Sequence, residues 1–109
     1  MADALSLAAS MRATPTEALP AVQSAFSLAH VYLTEAHLLG GLALVVHWDM
    51  EDDHRADIID QLGKVAVTLD ADSLRGLQAP WTHPLEGSLH VTLLHGGPDV
   101  KVPVPAVPG

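Results

Sequence analysis

The stretch AHLLGGLALVVHW, residues 36–48, decides the fold class of this 109-residue chain. The paired glycines at 40 and 41 are typical of a helix that stops at its C-terminus. After them, LALVVHW is a short apolar run rich in residues that favour strands, and it carries no helix caps. We therefore predict a buried strand over residues 41–48, with a contiguous helix as the alternative.

Upstream of this stretch the sequence predicts a helix. TPTE, residues 14–17, has the pattern of a capping box, with Thr14 as N-cap, Pro15 in the first helical position and Glu17 three residues after the cap. Pro20 removes a backbone donor, so the helix must kink or restart near it. From residue 21 to about 39 apolar residues recur at helical spacing, namely Val22, Phe26, Ala29, Leu33 and Ala36.

The opposite stripe of this predicted helix is polar but almost uncharged. Glu35 is the only charged residue between Glu17 and Asp49. Solvated helix faces usually carry charge, so a neutral polar face suggests burial against another element or subunit. An uncharged solvent face is the alternative. The predicted interaction residues are Gln23, Ser27, His30, Thr34 and His37.

The segment HWDMEDDHR, residues 47–55, is the part of the chain that most resembles a site. We interpret it first as the start of a helix that begins close to Asp52 or Asp53, because aspartate caps well and acidic residues in a first turn interact favourably with the helix dipole. The alternative is a zinc, iron or manganese site, with ligands His47, Asp49, Asp53 and His54. Apolar spacing after it favours a helix to residue 69 over one that ends at 62 before a strand.

The C-terminal third predicts an antiparallel β-hairpin. SLHVTLLH, residues 88–95, alternates as a half-buried strand, GGPD turns the chain, and VKVPVPAV, residues 100–107, returns. Pro103 and Pro105 share one parity, which predicts a sheet edge closed on its outer side.

We expect one α+β domain over residues 14–109, with two or three helices on a small sheet. Residues 1–13 precede it as a short helix or a frayed end.

Composition limits the function. The formal charge is −8 with five Lys and Arg residues, scattered along the chain, which argues against nucleic-acid binding. The 13-residue apolar run is too short to cross a bilayer, the N-terminus lacks signal-peptide features, and the chain has no cysteine, so we expect a cytoplasmic protein without membrane contact.

No catalytic signature is complete in the sequence. We therefore expect a small acidic interaction or assembly module, more plausible as a non-enzyme, which binds itself or a protein partner through the neutral face. No cofactor is expected on this hypothesis. The alternative is a metal-binding protein or metal-dependent hydrolase that uses the His/Asp cluster at residues 47–54.

Overall fold

The computed structural model describes residues 3–79 and 84–94. Within these residues the protein is α+β, with three helices packed on a five-stranded sheet. The elements in chain order are β1 (Asp3–Met11), α1 (Pro15–Leu28), β2 (Tyr32–Leu39), β3 (Ala43–Met50), α2 (Arg55–Lys64), β4 (Val67–Leu69), α3 (Ala71–Gln78) and β5 (Leu85–Leu93). The sheet has the order β2-β3-β5-β1-β4. It is mixed, because β1 and β5 are parallel and the other neighbours are antiparallel.

The first strand corrects the prediction of a short helix or frayed end for residues 1–13. β1 lies inside the sheet, where it pairs with β5 on one side and with β4 on the other. Its core side carries Leu7, Ala9 and Met11, all buried. Alternating small residues give a weak periodic signal. The strand conformation is selected by pairing with residues 85–93, far away in sequence.

Helix α1 begins as predicted but ends early. Thr14 accepts a hydrogen bond from the backbone N–H of Glu17, and the Glu17 carboxylate accepts one from Thr14, so the capping box is confirmed. Pro20 lies within the helix. The helix stops at Leu28, and the prediction of a helix from 21 to about 39 is wrong beyond that residue.

A histidine, not a glycine, ends α1. His30 has φ of 61°, the left-handed conformation that glycine usually supplies after a helix. Its N–H bonds to the carbonyl of Ser27, and the N–H of Val31 bonds to that of Phe26 at 3.0 Å. Val31 and Phe26 are both buried. This pattern is a Schellman motif, and the burial of its apolar pair offsets the strain at His30.

The paired glycines form a hairpin turn between β2 and β3. Gly40 has φ of 60°, and the N–H of Leu42 bonds to the carbonyl of Leu39. The predicted strand over 41–48 is confirmed as β3. Its partner is β2, in the residues where the sequence predicted the end of a helix.

Helix α2 runs from Arg55 to Lys64, so the preferred prediction of a helix to residue 69 is wrong and the shorter alternative is closer. Ala66 adopts φ of 65° and ends the helix before β4. The N-cap is His54, whose side chain makes no capping hydrogen bond, although Asp52 or Asp53 was predicted as the start.

All three helices contribute to one core on one face of the sheet. The core strand residues are of one parity in β1, β3 and β5, and the helices add Ala18, Val22, Ala25, Phe26, Ile58, Leu62 and Leu77. The predicted strand from residue 88 is confirmed as part of β5. The turn and return strand of the predicted hairpin, with Pro103 and Pro105, lie outside the described residues. None of the helices in the described ranges is long and apolar enough to span a membrane.

Candidate functional site

Among the described residues, no helix covers the face of the sheet opposite the core, which we call the open face. Its side chains in the three inner strands alternate with the core residues and are mostly small or polar, namely Ser6, Ala8, Ser10, Val45, His47, Asp49, Glu86, Ser88, His90 and Thr92. None of the five described strands contains a lysine or arginine. The chemistry of this open face therefore comes from histidines, carboxylates and hydroxyls.

Two histidines and a glutamate meet on the open face. Nε2 of His37 lies 2.9 Å from Oε2 of Glu35. The rings of His37 and His47 lie edge to face, with centroids 6.1 Å apart and an interplanar angle of 81°. One potential ligand atom from each of the three side chains lies within 4.8 Å of the other two. We call Glu35, His37 and His47 the His-Glu cluster.

The register between β2 and β3 explains why these side chains meet. Glu35 pairs with His47, and His37 follows two residues later on the same side of β2. A β-bulge immediately before Glu35 inserts Thr34 as an extra residue. Without it, Glu35 would lie opposite Val46 and would point toward the core. The bulge therefore brings Glu35 and His37 into phase with His47.

A shallow cleft of about 270 Å³ borders the His-Glu cluster. Its polar lining comes from Ser6, Thr34, His47, Asp49, Glu86 and Ser88. Asp49 lies opposite Glu86 in the β3–β5 ladder, two residues beyond His47 on the same face. The two carboxylates add negative charge beside the cluster, which favours a cation there over an anion.

A second cleft, of about 430 Å³, lies where α1 turns into β2 and β3 leads into α2. It is lined by His30, Tyr32, Asp49, Glu51, Asp52 and His54. The rings of His30 and His54 lie 5.6 Å apart, and Nδ1 of His54 is 3.2 Å from a carboxylate oxygen of Asp57. Among the described residues, the His-Glu cluster is the one group whose ligand atoms converge closely enough to hold a metal ion, and this second cleft shares none of its members.

The four predicted metal ligands are not brought together. His47 and Asp49 lie on the open face of β3, whereas Asp53 and His54 follow the strand. The carboxylate of Asp53 accepts hydrogen bonds from the Arg55 guanidinium, and this contact holds the pKa of Arg55 above its ordinary value. His47 has β2 residues as its nearest candidate co-ligands instead.

The five predicted interaction residues do not share one surface stripe. Gln23 and Ser27 are exposed on α1, and His30 occupies the turn after the helix. Thr34 and His37 lie on β2, at the edge of the sheet. The helical periodicity that linked the five residues ends at the Schellman motif.

Glu35 was not predicted as a site residue. The signal available in the sequence is the alternation in TEAHL, which places Glu35 and His37 on one side of a strand. A Gly-Gly pair between two runs of strand-forming residues is also a hairpin signal. The TEAHL alternation and the Gly-Gly pair together predict that β2 pairs with β3. They do not predict the bulge, which determines which β2 side chains lie on the same face as His47. No family model, curated protein or solved structure matches the chain.

Proposed function

We propose that this protein is a small non-enzymatic assembly module that pairs with a second copy of itself along the outer edge of β2. The observation that carries the proposal is the exposure of that strand. β2 is the terminal strand of the sheet, and seven of its eight residues are exposed. A long exposed edge of this kind is a template for another strand.

The hydrogen-bonding direction of β3 can be read from its first contact with β5. The carbonyl of Leu42 accepts a bond from the N–H of Leu93 at 2.8 Å. Backbone groups of successive strand residues point to opposite sides. The even-numbered residues of β3 therefore bond toward β5, and its odd-numbered residues bond toward β2.

The same alternation shows which groups of β2 are available. The β2 residues opposite the odd-numbered residues of β3 are Glu35, His37 and Leu39, so these three direct their N–H and C=O groups inward. Ala36 and Leu38 direct theirs outward, away from the sheet. A second strand would find donors and acceptors at these two residues.

The edge carries few of the features that normally block strand addition. β2 contains neither proline nor lysine, and its bulge lies near the start, which leaves Glu35–Leu39 regular. Several of its side chains, with one from the adjoining turn, are large, apolar and exposed: Tyr32 at 72%, Leu38 at 44%, Leu39 at 49% and Leu42 at 75%. Covering such side chains contributes favourably to association.

The distribution of charge favours a second copy as the occupant of this edge. Glu35 is the only charged residue from 18 to 48, whereas eight of the thirteen acidic residues lie between 49 and 72. Two acidic chains repel each other least along the weakly charged strand. Antiparallel pairing about a two-fold axis centred on Ala36 or His37 also places Glu35 opposite or diagonal to His37 of the second copy.

The test is sedimentation velocity over a wide concentration range with matched proline variants. The wild type should form a dimer. Ala36→Pro removes an outward donor while the ladder to β3 is kept. The variant should therefore be folded by circular dichroism and should sediment as a monomer. Ala71→Pro is the control, since Ala71 is the first residue of α3, where proline is tolerated. It should dimerise normally.

A wild-type protein that stays monomeric up to about millimolar concentration, where even a weak pair of about −4 kcal/mol forms, would overturn the proposal. A dimer that persists unchanged in Ala36→Pro would show that another surface is used.

A further inference from the structure

We propose that the His-Glu cluster is a binding site for a divalent cation of the zinc class, held by Glu35, His37 and His47. The inference goes beyond self-association, because the three ligands come from one chain and lie on the open face of the sheet rather than on its outer edge.

The spacing of the ligand atoms is close to what an ion requires. Zinc binds histidine nitrogen and carboxylate oxygen at about 2.1 Å, so two ligands of one ion lie about 3.4 Å apart in a tetrahedral site. The three candidate atoms lie within 4.8 Å of one another. Movements of roughly 1 Å, which rotation about exposed side-chain bonds supplies, would bring them onto one ion.

The ligand types select the metal class. Two imidazoles and one carboxylate suit zinc and similar transition metals, whereas calcium and magnesium prefer sites built from oxygen alone. Three protein ligands leave at least one position for water or another group. The site therefore has the open coordination of a metal centre that can accept a further ligand, not the closed shell of a purely structural one.

The backbone holds the three ligands in place before any ion arrives. Glu35 and His47 are cross-strand partners, and His37 is anchored two residues away in the same ladder. The contact of His37 with Glu35 at 2.9 Å already orients both side chains. β-Bulges occur often beside functional sites, where they re-aim side chains, and the bulge before Glu35 does this here.

The surrounding charge is also that of a cation site. Asp49 and Glu86 lie on the same face, and no described strand supplies a lysine or arginine to compete. Exposed carboxylates alone would not select a transition metal. The two histidines on the same side as Glu35 supply the nitrogen ligands that select a transition metal.

Bound metal is first removed by dialysis, and the full chain is then titrated with zinc. Binding is measured by calorimetry and by competition with a chromophoric chelator. One zinc ion should bind per chain. His37→Ala and His47→Ala should each weaken binding by more than the roughly 10- to 100-fold that loss of an outer-shell partner costs. Glu35→Gln should weaken it too, while the side chain keeps its size.

His90→Ala is the matched control. His90 is exposed on the same face, opposite Val45, and lies outside the cluster. It should bind zinc as the wild type does. An equal loss in His90→Ala, or unchanged binding in a His37→Ala/His47→Ala double variant, would overturn the site and indicate diffuse surface binding.

The Ala36→Pro variant separates this inference from the proposed dimer. As a monomer it keeps all three ligands, and it should bind one zinc with unaltered affinity. Loss of zinc binding in a folded Ala36→Pro monomer would contradict a single-chain site that is independent of pairing.

Discussion

The two edges of the sheet differ in whether their backbone hydrogen-bonding groups are covered. On one side, β4 covers only the last three residues of β1, Ala9–Met11. Beyond β4, the edge is closed by α3, where the Ser73 hydroxyl accepts the Ala8 N–H at 2.7 Å and the N–H of Asp70 bonds to the Ala8 carbonyl at 3.0 Å. On the other side, β2 presents a complete outer strand edge with no element against it among the described residues.

The two edges differ in how the backbone groups of the outer strand are satisfied. The Ser73 side chain is buried, and its hydroxyl accepts the Ala8 N–H in the place of a neighbouring strand. Burying a polar group costs free energy unless it is hydrogen-bonded, and the Ser73 hydroxyl has that hydrogen bond. The same chain leaves a longer edge open at β2, which is consistent with a role for that edge in pairing.

The largest loss of stability should come from Gly87→Ala, in the central strand β5. Gly87 pairs with Leu5 across the parallel β1–β5 ladder. An added Cβ would overlap the Leu5 carbonyl and lie 2.6 Å from Cζ2 of Trp48. Backbone cannot move aside as a flexible side chain can, so we expect a loss of about 3 kcal/mol or more in the free energy of unfolding, measured by urea denaturation.

Gly63→Ala is the control for that variant. Gly63 lies in α2 with nothing within 4 Å of the added Cβ, and alanine is the better helix former. This change should stabilise the protein by about 0.5–1 kcal/mol. Equal stability of Gly87→Ala and wild type would mean that β1 does not lie against β5 as described.

β1 and β2 lack the local sequence signals that the other elements have. Capping at Thr14 and the apolar run of β3 were predicted because their signals are local. β1 was missed because its conformation depends on partners far along the chain. β2 was missed because the helix ends at a histidine in the left-handed conformation, a position where the sequence shows no glycine.

The candidate site was predictable only in part. His47 was singled out from its neighbours in sequence, but its companions in the cluster come from across a ladder. Whether Glu35 faces solvent or core depends on the single extra residue at Thr34. A shift of one residue reverses every side chain of a strand, and composition carries no information on that shift.

A proline comparison on β2 would sharpen the contrast between its inner and outer sides. His37→Pro removes an inward donor and leaves a β3 carbonyl without its partner. We expect a loss of about 2 kcal/mol in the free energy of unfolding. Ala36→Pro removes an outward donor and should cost less than about 1 kcal/mol. The reverse order in a thermal or urea denaturation series would refute the assignment of sides.

Ser73→Ala should have a smaller effect on the closed edge. The variant leaves the Ala8 N–H without its acceptor, which costs about 1 kcal/mol when water partly replaces it. Amide exchange of Ala8 should become faster in the variant. Ser27→Ala, on the exposed surface of α1, is the control and should change neither stability nor the exchange of Ala8. Unaltered exchange in Ser73→Ala would mean that the hydroxyl does not close this edge.

The smallest expected effect is a change in the titration of the Asp70 carboxyl group. The Ser73 hydroxyl, and after it the Ser73 N–H, hold the pKa of Asp70 below its ordinary value. The folded state therefore favours the carboxylate. Its contribution to stability is present at neutral pH and is lost as the pH falls below about 4, through the lowered pKa.

Removing the hydroxyl tests this link directly. In Ser73→Ala the pKa of Asp70 should rise toward its ordinary value, measured from the side-chain carboxyl signal by NMR, and the variant should lose less stability than wild type on acidification. Glu17 is the internal reference, because its lowered pKa comes from the backbone and side chain of Thr14 at the start of α1. If Asp70 titrates identically in both proteins while Glu17 stays constant, the hydroxyl closes the edge without binding the cap of α3.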